Sequence, residues 1–210
     1  MIDIYVGIDP SINSSGITCM AYENNTLIRE MFYIIKPDKL TKKEDKAEQD
    51  NINRFMYVIY NKPEYDKENN HAVEYYKTLI FKEILNNIEE VIKKFIIQVT
   101  DNKPYNLYIC QEGISYGSSI RTKSVFDLAG LNFLLRMMVI IKFDITFFLI
   151  ATPSEIKKKT SGNGNCKKEV MIDLFKACRP DFDLPKIDDI ADSFWMANYI
   201  KNLHEEGIVQ

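Results

Sequence analysis

Four acids stand where their type and setting allow chemistry: Asp9, Glu112, Asp189 and Asp192. Asp9 closes the apolar run Ile4-Tyr5-Val6-Gly7-Ile8 and is followed by Pro10 and small polar residues as far as Gly16. Glu112 closes the run from Tyr105 to Gln111 and is followed by Gly113. Each acid thus ends a buried strand, where a carboxylate is costly unless a cation or water meets it. Asp189 and Asp192 are three residues apart in a stretch of helical apolar period, so they share one helix face. Carboxylates gathered around one small volume repel each other unless divalent ions neutralise them, and two ions so held clamp the attacking and leaving oxygens of phosphodiester hydrolysis. The plainer readings are a turn aspartate at position 9 and dipole-complementing acids at 189 and 192. Against the second, Ala191, Trp195, Met196 and Tyr199 mark a buried helix, where spare carboxylates are expensive.

Other chemistries have little to draw on. Cys19, Cys110, Cys166 and Cys178 form no CxxC pair, and His71 and His204 are the only histidines, so neither a zinc site nor a histidine-based nucleophile is expected. Carboxylates favour hard ions, which points to magnesium with manganese as substitute, and to no small-molecule cofactor. Lys157, Lys158 and Lys159, then Lys167 and Lys168, flank a loop containing Gly162 and Gly164. A lysine run is ordinarily a solvated face, but glycines between two such runs let backbone amides approach phosphates.

The elements that must position these groups follow from patterning. The 210 residues, 46% hydrophobic and 12% aromatic, suit a single domain over 1–210 with a real core. No apolar run is long enough for a membrane helix, and no basic flank or cleavage-like site opens the chain, so an intracellular, reducing location without a membrane partner is expected. The net charge of −3 is unevenly spread: 181–210 holds seven acids and two lysines, leaving 25 basic and 23 acidic residues elsewhere. A basic binding face can therefore coexist with one acidic cluster. Strands are expected at 4–9, 16–22, 26–36, 105–112 and 144–151, and helices at 72–99, 119–142 and from 187 onward. This order gives an α/β fold with a mixed five-stranded sheet flanked by helices. Residues 37–70, with seven basic and eight acidic residues, read as a charged insertion: a solvated helix or loop whose aromatic run Phe55 to Tyr60 packs down on the domain.

Gly7-Ile8-Asp9-Pro10-Ser11 with Gly16, Glu112-Gly113, the lysine and glycine segment from Lys157 to Val170, and Asp189-Ile190-Ala191-Asp192-Ser193-Phe194 together resemble RuvC-like Holliday junction resolvases of the RNase H-like superfamily. The resemblance implies that Asp9, Glu112, Asp189 and Asp192 are catalytic acids holding two magnesium ions. Lys157 and Lys168 match the family's basic residues near the scissile phosphate. The final motif sits one residue further from the glycine loop than in the bacterial pattern, which leaves Asp188 as the alternative to Asp189. Tyr116, one position later than the family's stacking aromatic, is the nearest candidate for the branch point. Arg121 and Lys123 join Lys157, Lys158, Lys159, Lys167 and Lys168 as the implied DNA-binding set. Resemblance further implies a homodimer acting on four-way DNA junctions, leaving 5′-phosphate and 3′-hydroxyl ends, with the helix at 119–142 as dimer face. That helix is apolar around most of its circumference, so another element or subunit must cover its far side. The rival covers are the insertion and a second copy. Rival functions are another RNase H-like nuclease acting on hybrids, flaps or packaged DNA, an actin-like ATPase or sugar kinase, and a non-catalytic DNA-binding module.

Overall fold

The computed structural model describes residues 1–64, 69–114, 123–182, 184–185 and 187–209, with residues 70, 71, 123 and 124 given by their backbone alone. Tyr116 and Arg121 lie outside the described residues, as does the side chain of Lys123.

Six strands form one sheet: β1 (Ile2–Asp9), β2 (Ser15–Glu23), β3 (Thr26–Pro37), β4 (Phe55–Tyr60), β5 (Tyr105–Glu112) and β6 (Phe147–Ala151). Their spatial order is β4-β3-β2-β1-β5-β6. Only β2 runs against its neighbours; β1 pairs with β5, β5 with β6 and β3 with β4 in parallel. The helices are α1 (Lys42–Asp50), α2 (Asn70–Thr100), α3 (Lys123–Lys142), α4 (Pro153–Ser161), α5 (Lys168–Cys178) and α6 (Ile187–Glu205). None of the described helices is long and apolar enough to cross a membrane.

The expected sheet of five strands is corrected to six by the segment that reads as an insertion. Phe55 and Tyr57 face one core with Met56 exposed between them, the alternation of a strand, and Tyr60, of the opposite parity, faces the other core. Because all six residues are apolar or aromatic, that alternation is invisible in their identities. A parallel partner for β3 needs a crossover element, and α1 is that element. Thr41 and Glu44 close it with a reciprocal capping box.

The pleat sorts side chains to two cores. Ile4, Val6 and Ile8 of β1 and Leu107 and Ile109 of β5 face α2 and α3. Tyr5 of β1 and Tyr108 and Cys110 of β5 face α5 and α6. By the same period of two, Asp9 and Glu112 fall on the α6 face at the C-terminal ends of adjacent strands, one step past the Ile8 and Gln111 pair.

Two glycines bring α6 onto that face. A Cβ on Gly7 would stand 2.0 Å from the Ser193 carbonyl oxygen, and one on Gly16 would stand 2.1 Å from that of Asp189. The helix backbone therefore lies directly on β1 and β2, and the Thr18 and Ser193 hydroxyls meet at 2.9 Å in the seam. Gly16→Ala is expected to push the α6 N-terminus away from the sheet, costing about 1–3 kcal/mol as overpacking does. A denaturant midpoint unchanged from the parent would contradict this close approach.

Candidate active site

At the junction of β1, β5 and α6 the acids converge. Asp9 and Glu112 act on each other's carboxyls across the ends of β1 and β5. Burial, then Glu112, Asp192 and Asp189, hold the Asp9 carboxyl well above the usual carboxylate range. Glu112 is raised as well, chiefly by burial. Asp192 is raised by burial although Lys168 pulls the other way. Lys168 and Lys157 pull Glu112 and Asp192 downward without outweighing their burial.

Helix α6 spreads three acids over two sides. Asp188 and Asp192, four residues apart, both pair with the Lys168 ammonium, at 3.1 and 3.2 Å. Asp189 points the other way, toward β2, where it accepts a hydrogen bond from the Ser14 hydroxyl. Burial alone would lower the Lys168 ammonium, but Asp192 and Asp188 outweigh it and hold the group above its ordinary value. Glu112, Lys157, Lys168 and Asp192 line one cleft, floored by Ile156, Met171 and Met196.

The lysines are placed by α4 and α5. Thr152 and Glu155 form a capping box with Pro153 in the first turn of α4, and Gly162 ends the helix at φ +78°, a conformation that suits glycine. A Cβ on Gly164 would lie 2.6 Å from the Ser154 hydroxyl oxygen. The two glycines thus build the turn between the helices themselves. Trp195 of α6 donates its ring N–H to the Met171 carbonyl at 3.0 Å, which locks α5, and with it Lys168, against the acid-bearing helix.

No protein-family model and no curated protein matches the sequence. Solved structures do. Thermus thermophilus RuvC aligns over 100% of this chain and 99% of its own, with 15% identity and a TM-score of 0.54. The same protein in complex with a Holliday junction substrate aligns over 100% and 98%, with 14% identity and a TM-score of 0.55. The fold is that of RuvC.

On this RuvC fold the sequence-derived residues separate into groups. Asp9, Glu112 and Asp192 come together, Asp189 flanks them on the Ser14 side, and Asp188 flanks them on the Lys168 side. Of the five lysines, Lys157 and Lys168 enter the cleft. Lys158 and Lys167 are exposed, whereas Lys159 is tied to Glu206 near the end of the chain. Ser14 and Ser193 contribute to the seam without standing out in the sequence. The signal for Ser14 is its place in the polar cluster after Asp9, and that for Ser193 its place in the motif from Asp189 to Phe194.

The donor set is all carboxylate oxygen, which fits magnesium or manganese, and burial, which raises these carboxyls, makes their ionised forms costly unless a cation meets them. As placed, no three Asp, Glu, His or Cys side chains among the described residues surround one ion position.

The raised carboxyls have a consequence for stability. In the folded chain Asp9, Glu112 and Asp192 bind protons more tightly than when unfolded, so metal-free stability falls as pH rises from the ordinary carboxylate range through the raised values. Asp9→Asn removes a carboxyl that burial and its acid neighbours make costly to ionise. The metal-free melting temperature at neutral pH is expected to rise, by about 2–4 °C for each kcal/mol relieved in a chain of this size, with the gain vanishing in acid. A loss at both pH values, measured by calorimetry, would make Asp9 a structural residue instead.

Proposed function

We propose that the protein is a structure-selective endodeoxyribonuclease that resolves four-way DNA junctions. The observation that supports this most is the convergence of Asp9, Glu112 and Asp192 with Lys157 and Lys168 in one cleft of a RuvC fold. Asp9, Glu112, Asp192 and Asp189, with Asp188 as the alternative to Asp189, would hold two magnesium ions. Those ions would supply Lewis-acid stabilisation of charge on the attacking and leaving oxygens of the phosphodiester. The chain's own residues do the rest. Lys157 and Lys168 draw the phosphate to the acid cluster, and Lys168 stabilises the charge that develops on it. The close seating of α6 on Gly7 and Gly16 fixes the acids relative to each other. The expected products carry 5′-phosphate and 3′-hydroxyl ends.

In this reading the protein works as a homodimer, because a two-fold dimer matches a junction cut at two symmetric positions. Helix α3 buries Leu131, Leu135, Met138 and Val139 against its own core. Phe126, Phe133, Met137, Ile140 and Ile141 remain more than half exposed. The position of the insertion's aromatic run, as β4 at the sheet edge remote from β5 and β6, favours a second copy over the insertion as cover. Phe126, Phe133, Met137 and Ile140 recur at seven, four and three residues, the seam that a second copy of the same helix fills. Met137→Glu is expected to convert a dimer to a monomer in sedimentation experiments and to uncouple the two nicks. A parent protein that is monomeric at micromolar concentration would contradict the dimer.

A substrate panel tests the activity itself. With magnesium, four-way junctions should be cut in preference to duplex, flap and RNA–DNA hybrid substrates of matched sequence. Preference for hybrids or flaps would move the protein to another nuclease class of the same fold.

A further inference from the structure

Helix α1 carries a set of cations that the cleft does not use. Because β3 runs parallel to β1, the chain leaves β3 at Pro37 on the same end of the sheet as Asp9 and Glu112. The N-terminal turn of α1 therefore lies at the acid end, and its buried Ala47 belongs to the same core as Ile190 and Phe194 of α6. Lys39, Lys42, Lys43 and Lys46 are all exposed, and none has an ion-pair partner among the described residues. Neighbouring lysines differ: Lys36 pairs with Glu44 and Lys62 with Asp38.

The helix sorts its charges. Glu44 and Ala47 are buried, and Glu44 is engaged by Lys36 and by the Thr41 cap. Glu48 accepts the Tyr57 backbone N–H at 2.6 Å, and Asp45 accepts the Gln49 side-chain amide at 3.1 Å. Among the described residues, Lys43 and Lys46, with Asp50 as the carboxylate, line a groove whose other wall is Leu184 and Pro185. Pro185 lies two residues before the first turn of α6, and Tyr57 of β4 donates its hydroxyl to the Pro185 carbonyl at 3.5 Å. The lysine side of α1 thus faces the loop that leads into Asp188 and Asp189. Across the sheet, α4 leaves β6 with Lys157 and Lys158.

We infer that the α1 surface formed by Lys39, Lys42, Lys43 and Lys46 is a second docking face for a DNA backbone, on the β4 side of the acid cluster. Unpaired lysines on both flanks of the cleft give a duplex two electrostatic supports, so the strand across the acids is held from either side. Lysine without arginine or exposed aromatic residues along this surface suits phosphates and carries no reading of base sequence. The crossover segment, which adds only an edge strand to the fold, then widens the DNA footprint.

This inference rests on the proposed DNA-cleaving role of the cleft. Binding of a four-way junction in EDTA, where cleavage is not required, is measured across a salt series for the parent, Lys43→Ala/Lys46→Ala, Lys43→Arg/Lys46→Arg and Lys82→Ala. Lys82 is an exposed lysine of α2 on the other face of the sheet. The alanine pair should lower the slope of log affinity against log salt by about two, since each phosphate that a lysine neutralises adds about 0.9 to it. The arginine pair should keep the parent slope, and Lys82→Ala should leave it unchanged. An unaltered slope in the alanine pair, or an equal change in Lys82→Ala, overturns the α1 docking face while the function reading stands. A parent that binds no junction at all overturns both.

Discussion

Glu112→Gln is expected to reduce junction cleavage by about a thousandfold or more while leaving junction binding within a few-fold of the parent. The residue ends β5 inside the cleft, beside Asp9 and near Lys168 and Asp192. Replacing it keeps the volume and removes the charge. In the proposed mechanism charge stabilisation worth several kcal/mol disappears, at about 1.4 kcal/mol for each tenfold in rate. Asp9→Asn and Asp192→Asn should behave alike, since each would give up an ion ligand and leave the phosphate-binding lysines in place. Single-turnover cleavage alongside a binding titration separates the two effects. Near-normal turnover in any one variant removes that acid from the site, and a matching collapse of binding would make it a DNA-binding or a structural residue.

The second large effect is expected at Lys168. Its ammonium pairs with Asp188 and Asp192 without DNA, and the cleft it shares with Lys157 and Glu112 is the place a phosphate would enter. Lys168→Ala should lower the cleavage rate by about 100-fold to 1000-fold, the usual cost of removing one preorganised charge-stabilising group. Affinity should fall only as far as one lysine–phosphate interaction accounts for. Lys168→Arg keeps the charge and should recover part of the rate. Equal losses in rate and affinity would mean that Lys168 positions the DNA and does nothing for the reaction. The structure adds a second consequence: without Lys168, Asp188 and Asp192 have no shared counter-ion, so magnesium should raise the melting temperature of this variant more than that of the parent.

Strand-end acids were legible because their signals are local. Asp9 and Glu112 each follow an apolar run and precede a strand-ending residue, Pro10 or Gly113, so both the strand and its terminus can be read from a few neighbours. Helical period places Asp189 and Asp192 on one face, whereas the structure turns them apart and puts Asp188 beside Asp192 on Lys168. What the period could not give was rotation: Asp188 and Asp192 turn to Lys168, while Asp189 turns to Ser14, and that choice is set by Gly7 and Gly16 letting α6 down onto the sheet. Close approaches across the fold, remote in sequence, decide it.

The crossover α1 and strand β4 escape the sequence for a different reason. Their residues are charged or uniformly apolar, so neither has the contrast between faces from which period is read. One local signal is present, the Thr41-Lys42-Lys43-Glu44 capping box, which starts α1. The strand itself depends on pairing with β3, an interaction that no local pattern encodes. Conversely, the glycines of the loop after α4 suggest an approach to phosphates, whereas each is used by the turn: Gly162 to end the helix and Gly164 to pass Ser154.

The most direct test of the central claim is cleavage of a synthetic four-way junction, with both strands end-labelled, by the parent and by Asp192→Asn in magnesium and in EDTA. The expected result is paired, symmetric nicks with ligatable 5′-phosphate ends from the parent in magnesium, none in EDTA, and none from the variant. Magnesium-independent nicks, or equal cutting by Asp192→Asn, would contradict a metal-dependent site built on the acids of β1, β5 and α6.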